Sequence, residues 1–333
     1  MSHTTDPATA AATTGLSVPP LHCPTPVRID EPLGQQVDSL LLPWIERVGI
    51  FAGQLEKIRA SRFGRFAMLC HPDTDEPDRL LLSAQCIAAL FAVDDYYCDD
   101  DSQGSVPEQV GSRLSVALAA LEPAHLTGEY IAALERALDA DPVLRGLRAY
   151  MVRVAQFASP AQIARVRHEI IAMFVTMGAE ASWRLNRQTP SVWEYLAHRQ
   201  VNSFLPCMSL IDIVGGYELP ANLYCAPMVR RVTTLAASAT IIANDLYSMH
   251  KEGMTVQVDF NLPQLLVAHQ QCSLAEAMTR TASIHDDVVR AYEAAEQRAL
   301  PAATPELERF LGGLKAWVAG SREWHQHSGR YQA

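Results

Sequence analysis

The apolar run from Val232 to Ala243 contains no charged residue, proline or glycine. A run of this kind suits a helix that is buried in the interior of a protein. Elsewhere the chain shows apolar residues at helical spacing, and it lacks the Val, Ile and Thr alternation and the strand–helix–strand rhythm that are typical of sheets. The sequence therefore predicts a single all-α domain of about ten or more helices around a sizeable core.

The predicted helices end where proline, glycine or polar clusters interrupt the apolar pattern. They cover residues 33–60 (interrupted at Gly49 and Gly53), 63–70, 80–93, 108–121, 126–139, 142–158, 160–186, a stretch from Val192 that is broken at Pro206 and at Gly215, 228–252, 262–270, 273–299 and 304–325. Residues 1–28 are rich in Ala, Thr, Ser and Pro. We expect a disordered or loosely docked N-terminal tail at 1–28 and a folded domain at 29–333.

Composition excludes several classes of protein. A net charge of −10 argues against a nucleic-acid partner. The charge-free stretches that are predominantly apolar, such as 80–93, are shorter than the roughly 18 residues that indicate a membrane span, and no secretory signal is visible. The seven cysteines include no C-x-x-C pair, which argues against a disulfide framework and a zinc site, and the eleven histidines, without paired ligand spacing, are interpreted as structural. These features predict a cytoplasmic protein.

A polar cluster follows the opening apolar run. If the helix continues beyond Ala243, then Asn244, Ser248 and Glu252 lie at i, i+4 and i+8 on one face. An amide oxygen, a hydroxyl and a carboxylate form the hard oxygen set that Mg²⁺ accepts, and Lys251 adds a positive charge at its edge. The alternative is a surface turn that ends the helix.

An acidic cluster follows a second apolar run, at 80–93. Asp94, Asp95 and Asp99 come directly after it, at the end of a helix where the macrodipole disfavours negative charge. The alternative is a solvated helix end, but carboxylates in this place need a compensating cation. Together, two oxygen-rich clusters favour a binuclear or trinuclear Mg²⁺ site that binds a diphosphate.

The two clusters resemble the metal motifs of bacterial class I terpene cyclases, in the pattern Asp94-Asp95-x-x-x-Asp99 and in the run from Asn244 to Glu252. Arg199 matches the diphosphate-sensing arginine of that family, with Asn202 and Ser203 at the linker and effector positions. Arg330 and Tyr331 match its C-terminal Arg-Tyr pair, whose members hydrogen-bond the diphosphate.

Further segments are similar to the branch of the family that comprises 2-methylisoborneol and 2-methylenebornane synthases. They are residues 48–55, 70–75, 202–208 and 322–325, and the resemblance covers roughly residues 19–331. The chain departs from this branch in two places. Its N-terminal tail is shorter than in several members, and Cys98 stands where the fifth position of the acidic motif has an acid.

The resemblance implies a class I terpenoid synthase domain whose helices surround an apolar active-site cavity. It implies a Mg²⁺-dependent enzyme that ionises and cyclises 2-methylgeranyl diphosphate, an allylic diphosphate, and it implies a homodimer as one form of assembly. Three Mg²⁺ ions are expected, with ligands from Asp94, Asp95, Asp99, Asn244, Ser248 and Glu252. The expected diphosphate-binding residues are Arg199, Lys251, Arg330 and Tyr331, and the expected catalytic residues are Asp94, Arg199, Arg330 and Tyr331.

Aromatic residues are candidates for the cavity wall, because the face of a ring stabilises a carbocation by about 0.5 to 2 kcal/mol. Phe204 and Trp324 are the preferred candidates, from their positions beside Ser203 and before Arg330, and Tyr96 and Phe174 are further ones. Phe91 is predicted to lie in the core.

Three other functions are weighed against this one. A cyclase of geranyl or farnesyl diphosphate would share the same motifs. A chain-elongating prenyl diphosphate synthase would carry a second Asp-rich motif in place of the run from Asn244 to Glu252. A non-enzymatic helical scaffold would give no reason for oxygen ligands at the ends of apolar helices.

Overall fold

A computed structural model describes residues 17–99, 105–252 and 260–331, except for the side chains of residues 99 and 250–252. The described residues form α-helices and no strand, which confirms the all-α prediction. The helices are Glu31–Val48 (α1), Leu55–Ser61 (α2), Phe63–Cys70 (α3), Pro77–Val93 (α4), Pro107–Leu121 (α5), Glu129–Ala140 (α6), Pro142–Phe157 (α7), Pro160–Leu185 (α8), Val192–Arg199 (α9), Leu205–Met208 (α10), Ile211–Val214 (α11), Ala221–Tyr224 (α12), Pro227–Glu252 (α13), Leu262–Gln270 (α14), Leu274–Ala299 (α15) and Pro305–His327 (α16). A π-helical turn at Asp94–Asp99 continues α4, and a 3₁₀ turn lies at Leu300–Ala302.

The observed boundaries follow the local sequence signals. The predicted helix at 33–60 is two helices, because Gly49 ends α1 with a φ of 84°, a left-handed conformation that glycine adopts without strain. Ser159 opens α8 with a capping box that includes Gln162. The stretch that begins at Val192 is interrupted near Pro206 and Gly215, as expected, and consists of short helices.

The two helices that precede the polar clusters belong to one core. α13 packs against α15 and α16, α16 packs against α3, and α3 packs against α1 and α4. Buried side chains point from α4 in every direction around its axis, as expected of an apolar helix that is covered on all sides. The core therefore places the ends of α4 and α13 close to one another.

The segment Pro77–Cys98 passes a test of length and composition for a membrane span. However, 78% of its most apolar window is buried inside the protein. This burial is typical of a core helix.

The described part of the predicted tail, residues 17–28, contacts the domain through specific hydrogen bonds. The Arg28 guanidinium donates to the carbonyl oxygens of Met68 and His71, each at 2.8 Å. The backbone N–H of His22 donates to a carboxylate oxygen of Asp286 at 2.8 Å. Residues 1–16, the rest of the predicted tail, lie outside the described residues.

Candidate active site

A cavity lies between α4, α8, α10 and α13, and it is apolar at one end and polar at the other. On α4 its wall changes from Ile87 and Leu90 to Asp94 along the helix, and on α13 it changes from Ile241 to Asn244. Along both helices the polar lining residue therefore follows the apolar ones, on their C-terminal side. The described lining residues are Ile87, Leu90, Phe91, Asp94, Met173, Glu180, Arg184, Arg199, Asn202, Ser203, Phe204, Cys207, Ile241, Asn244 and Phe260.

The acidic cluster lies on the π turn at the end of α4. Turns of this type occur frequently at functional sites. Asp94 lines the cavity. Asp95 accepts three hydrogen bonds from Arg330, from Nη2 to Oδ1 at 3.0 Å and to Oδ2 at 3.2 Å, and from Nη1 to Oδ2 at 3.3 Å. The Asp99 side chain lies outside the described residues. Arg330 also lies over the ring of Phe91, with its guanidinium carbon 4.0 Å from the ring centroid.

The C-terminal segment is held by the end of α2. The Ser328 hydroxyl donates to the Ser61 carbonyl oxygen at 3.1 Å, and the Gly329 N–H donates to the Ala60 carbonyl oxygen at 3.0 Å. A Cβ atom at Gly329 would lie only 2.8 Å from the Ala60 Cβ. Glycine therefore permits the close approach that brings Arg330 to Asp95.

A second arginine, Arg199 at the end of α9, is paired inside the protein. Its Nη2 donates to Oδ1 of Asp245 at 2.5 Å, and its Nε donates to the same oxygen at 3.2 Å. The other oxygen of Asp245 accepts from the Tyr195 hydroxyl at 2.9 Å and from the Leu262 N–H at 3.1 Å. Burial alone would lower the pKa of Arg199, but the Asp245 carboxylate outweighs it and raises that pKa well above its ordinary value. The guanidinium therefore stays charged at the cavity wall.

The α13 cluster meets the C-terminal segment at Asn244. The amide Nδ2 of Asn244 donates to the Tyr331 hydroxyl at 2.8 Å and lies 3.0 Å from Nε2 of His325. Burial lowers the pKa of His325 to about 4, so its imidazole is neutral near pH 7. Ser248, one helical turn after Asn244, is 5% exposed, and its hydroxyl lies 3.5 Å from the Asp245 carbonyl oxygen. The side chains of Lys251 and Glu252 lie outside the described residues.

The structure brings together several of the residues that the sequence singled out. Asp94, Arg199 and Asn244 line one cavity, and hydrogen bonds connect Asp95 with Arg330 and Asn244 with Tyr331. The described residues include no cluster of three His, Cys, Asp or Glu side chains suited to a metal. The candidate set instead includes an amide and a hydroxyl, and with the Asp94 carboxylate these are the oxygen donors that Mg²⁺ accepts.

The described cavity wall contains one of the four aromatic candidates. Phe204 lines the cavity, whereas Trp324, Tyr96 and Phe174 are absent from its described lining. Trp324 is fully buried, stacks on Phe66 at 4.2 Å, and donates its indole N–H to the Ser61 carbonyl oxygen at 2.8 Å.

Tyr96 and Phe174 point away from the described lining of the cavity. Tyr96 faces Phe51, with ring centroids 6.0 Å apart. Phe174 points into the core, and its neighbour Met173 takes the place on the cavity wall, because successive residues of a helix point in different directions. Phe91, which was assigned to the core, lines the cavity.

One polar residue of the cavity, Glu180 on α8, escaped the sequence analysis. It accepts hydrogen bonds from Nε2 of His198 at 2.7 Å and from Nδ2 of Asn202 at 2.9 Å. Burial alone would raise the pKa of Glu180, but the hydrogen bond from His198 and the nearby Arg184 and Arg199 outweigh it and lower the pKa to about 2. One feature of the sequence could have identified Glu180. It lies three residues after Met177, on the apolar face of α8.

Comparison with known proteins agrees with this arrangement. A family model described as terpene synthase family 2, C-terminal metal binding, matches residues 85–291, a range that includes both polar clusters. A 2-methylisoborneol synthase from Saccharopolyspora erythraea is 36% identical over 94% of this chain and 89% of its own length. Another, from Streptomyces ambofaciens, is 37% identical over 96% of this chain and 72% of its own length.

A solved structure is also similar over nearly the whole chain. It is the crystal structure of 2-methylisoborneol synthase from Streptomyces coelicolor A3(2) in complex with Mg²⁺ and 2-fluoroneryl diphosphate. The TM-score is 0.90 at 35% identity, and the match covers 96% of this chain and 98% of that one. The chain therefore belongs to the terpene synthase family and is a class I terpene cyclase related to the 2-methylisoborneol synthases.

Proposed function

We propose that this enzyme is a Mg²⁺-dependent cyclase that converts 2-methylgeranyl diphosphate to a methylated bornane-type monoterpenoid and diphosphate. The observation that carries the proposal is the placement of Asp94, Asn244 and Arg199 at the polar end of one cavity whose other end is apolar. The similarity to 2-methylisoborneol synthases, one of them solved with Mg²⁺ and a fluorinated diphosphate, supports the substrate class.

The proposed oxygen ligands come from the π turn and from α13. Asp94 and Asp99 would hold metal from the π turn, and Asn244, Ser248 and Glu252 would hold it from α13, while Asp95, both of whose oxygens accept from Arg330, would hold that arginine. We propose three Mg²⁺ ions, as in the family that the motifs resemble. When bound, Mg²⁺ would neutralise charge on the diphosphate and make it a better leaving group.

Arginine and tyrosine side chains would bind the diphosphate itself. Arg199 and Arg330 stay charged and are held in place by Asp245 and Asp95, and with Lys251 and Tyr331 they would donate hydrogen bonds to diphosphate oxygens. The allylic C–O bond breaks, its electron pair leaves with the diphosphate, and an allylic cation remains. Negative charge develops on the departing diphosphate. Hydrogen-bond donors that are already in position stabilise this charge without having to reorganise.

The apolar end of the cavity would then control the cation. Ile87, Leu90 and Ile241 line this end. They would exclude water and hold the hydrocarbon chain of the substrate in a folded conformation. The face of Phe204 would stabilise positive charge by about 0.5 to 2 kcal/mol, and Phe91, whose ring already has the Arg330 guanidinium over it, would add apolar wall. The cation would isomerise to the linalyl form and close to a terpinyl-type and then a bornyl-type cation. Addition of water, with loss of one of its protons to the released diphosphate, gives 2-methylisoborneol, and loss of a proton from carbon to the diphosphate gives 2-methylenebornane.

The test is incubation of the purified protein with Mg²⁺ and 2-methylgeranyl diphosphate in water enriched in ¹⁸O, followed by gas chromatography with mass spectrometry. An alcohol that carries ¹⁸O indicates capture by water, and a hydrocarbon indicates loss of a proton. Geranyl and farnesyl diphosphates are tested in parallel, the latter also with isopentenyl diphosphate. Higher kcat/KM with either, or chain elongation, would contradict the proposed substrate.

The metal assignment has its own control. Replacing Asn244 or Glu252 with Ala should abolish turnover in the presence of Mg²⁺, because each change removes an oxygen ligand. Full activity in either variant would disprove that assignment while leaving the product analysis intact.

A further inference from the structure

His325 lies beside the site without being among its described lining residues. Its ring is stacked between those of Tyr247 and Tyr331, at centroid distances of 5.6 Å and 5.3 Å. The edge of the Trp324 ring system packs against it at 4.8 Å. The residue is 2% exposed. This packing fixes the plane of the imidazole and therefore the directions of its two nitrogen atoms.

The two nitrogen atoms have different roles. Nδ1 lies 2.7 Å from the carbonyl oxygen of Ser321, one turn earlier on α16. A carbonyl oxygen can only accept, so Nδ1 donates to it and carries a hydrogen. Nε2 lies 3.0 Å from Nδ2 of Asn244, an amide nitrogen that can only donate, so Nε2 is the acceptor of this contact.

The acceptor at Nε2 decides which way the Asn244 amide points. The amide nitrogen lies 3.0 Å from Nε2 and 2.8 Å from the Tyr331 hydroxyl, so both of its hydrogens are used. If the amide turned over, Oδ1 would face Nε2, and two acceptors would oppose each other. Oδ1 therefore points away from the imidazole, on a residue that lines the cavity.

We propose that His325 is a positioning residue that turns the oxygen of Asn244 toward the metal and the nitrogen away from it. The Ser321 carbonyl fixes the hydrogen on Nδ1, the acceptor at Nε2 fixes the amide, and the amide presents Oδ1 as a ligand. This inference rests on the proposed function, in which Asn244 binds Mg²⁺. Loss of an outer partner of this kind lowers metal affinity about 10- to 100-fold.

Two substitutions separate this role from packing. His325→Phe keeps the ring and its stacking but removes the acceptor. His325→Gln loses the ring but can place an amide oxygen near the former Nε2. Mg²⁺ affinity is measured by calorimetric titration of each protein in the presence of inorganic pyrophosphate. We expect His325→Phe to bind Mg²⁺ about 10- to 100-fold more weakly than the wild-type protein, and His325→Gln to recover most of that loss.

A role in packing alone predicts the reverse order, because phenylalanine preserves the stacked rings. Wild-type affinity in His325→Phe, or an affinity at or above that of His325→Gln, would overturn the inference alone. Absence of Mg²⁺-dependent pyrophosphate binding in the wild-type protein would overturn the proposed function together with it. His71→Phe is the matched control, since His71 is also buried against a tryptophan ring and its Nε2 has no hydrogen-bond partner. That variant should keep wild-type Mg²⁺ affinity.

A measurement on the wild-type protein tests the first step even if both variants fail to fold. Nitrogen-15 NMR of the histidine-labelled, metal-free protein distinguishes a protonated from an unprotonated ring nitrogen. A hydrogen on Nδ1 of His325 and none on Nε2 supports the inference. A hydrogen on Nε2 would overturn it.

Discussion

Two arginine–aspartate pairs flank the cavity, and they are supported in different ways. In the pair of Arg199 with Asp245 the carboxylate is fully buried, and it accepts four hydrogen bonds from α9 and from the start of α14. In the pair of Arg330 with Asp95 the arginine side chain is 2% exposed and the aspartate side chain is 15% exposed. There the arginine lies on an irregular segment that two main-chain carbonyl groups hold in place.

The difference separates a fixed half of the proposed diphosphate site from an adjustable half. Asp245 lies in the core and its pair with Arg199 can move only if helices separate, whereas the Arg330 pair depends on where a short irregular segment docks. Ser328, Arg330 and Tyr331 are buried in the docked position, but irregular segments open at lower free energy than packed helices, and lids are drawn from them. The comparison therefore predicts that changes at the first pair act on stability and changes at the second act on turnover.

The largest expected loss of stability follows from Asp245→Ala. The change removes from Arg199, at the cavity wall, the carboxylate that accepts two of its hydrogen bonds, and it removes the buried acceptor for Tyr195 and Leu262, at a cost of about 3–5 kcal/mol in the free energy of unfolding. Urea unfolding followed by circular dichroism measures it. Asp287→Ala is the control, because its ion pair with Arg290 is exposed and should contribute less than about 1 kcal/mol. Equal losses in the two variants would contradict the claim that the pair of Arg199 with Asp245 is the fixed half of the site.

Deletion of residues 328–333 tests the adjustable half. Turnover should fall by about 10²- to 10³-fold, because the diphosphate loses the donors of Arg330 and Tyr331. The free energy of unfolding should fall less than in Asp245→Ala, since the Asp95 side chain can return to solvent. Steady-state kinetics and urea unfolding of the same preparation give both quantities. A deletion that unfolds the protein would show that the segment is part of the core.

Gly329→Ala changes the docking without removing a charge. The new Cβ would meet the Ala60 Cβ at 2.8 Å and its carbonyl oxygen at 2.9 Å, so the segment must shift. We expect kcat/KM to fall by about 10- to 100-fold, because small misplacements of binding groups are costly. Gly312→Ala, which has open space around the new Cβ, should leave turnover unchanged and stabilise α16 by up to about 1 kcal/mol. Wild-type kinetics in Gly329→Ala would show that the segment has room to move.

The smallest expected effect is on the stability of the fixed half in acid. It follows from Glu180, a carboxylate that interacts with Arg199. The folded-state pKa of Glu180 is about 2, below its ordinary value of 4.5. Between these values the unfolded chain binds more protons, so stability is complete above about pH 4.5 and falls as pH decreases toward 2. At pH 4 the loss is about 1 kcal/mol, and Glu180→Gln should lack this part of the pH dependence. Urea unfolding at pH 6 and at pH 4 gives the free energy of unfolding of both proteins. The same change between the two pH values in the wild-type protein and in Glu180→Gln would contradict the prediction.

Periodicity predicted most of the fold, and the two polar clusters directed attention to Asp94 and Asn244, which line the cavity, whereas Arg199 was singled out by the family resemblance and Glu180 not at all. The helices follow the apolar pattern, and Asn244 and Ser248 lie one turn apart because α13 continues through them. The role of Asp245 could not be predicted, since its partner Arg199 meets it only through tertiary packing. Phe91 and Trp324 show a further limit. Phe91 lies on α4, which is apolar around its whole circumference, so periodicity cannot identify the face that meets the cavity. Trp324 lies close to Arg330 in sequence, but it packs toward α3.

The π turn at the end of α4 changes how acidic spacing should be counted in comparisons of sequences. In an α-helix the residue four positions on lies above the first, but a π turn closes one residue later. Four positions after Asp94 stands Cys98, a small side chain that is 1% exposed, and five positions after it stands Asp99. We propose that the second acid of the metal motif stands at position 99 rather than at position 98. Searches that require acids at α-helical spacing would miss chains of this kind, and an alignment gap of one residue in this turn would recover them.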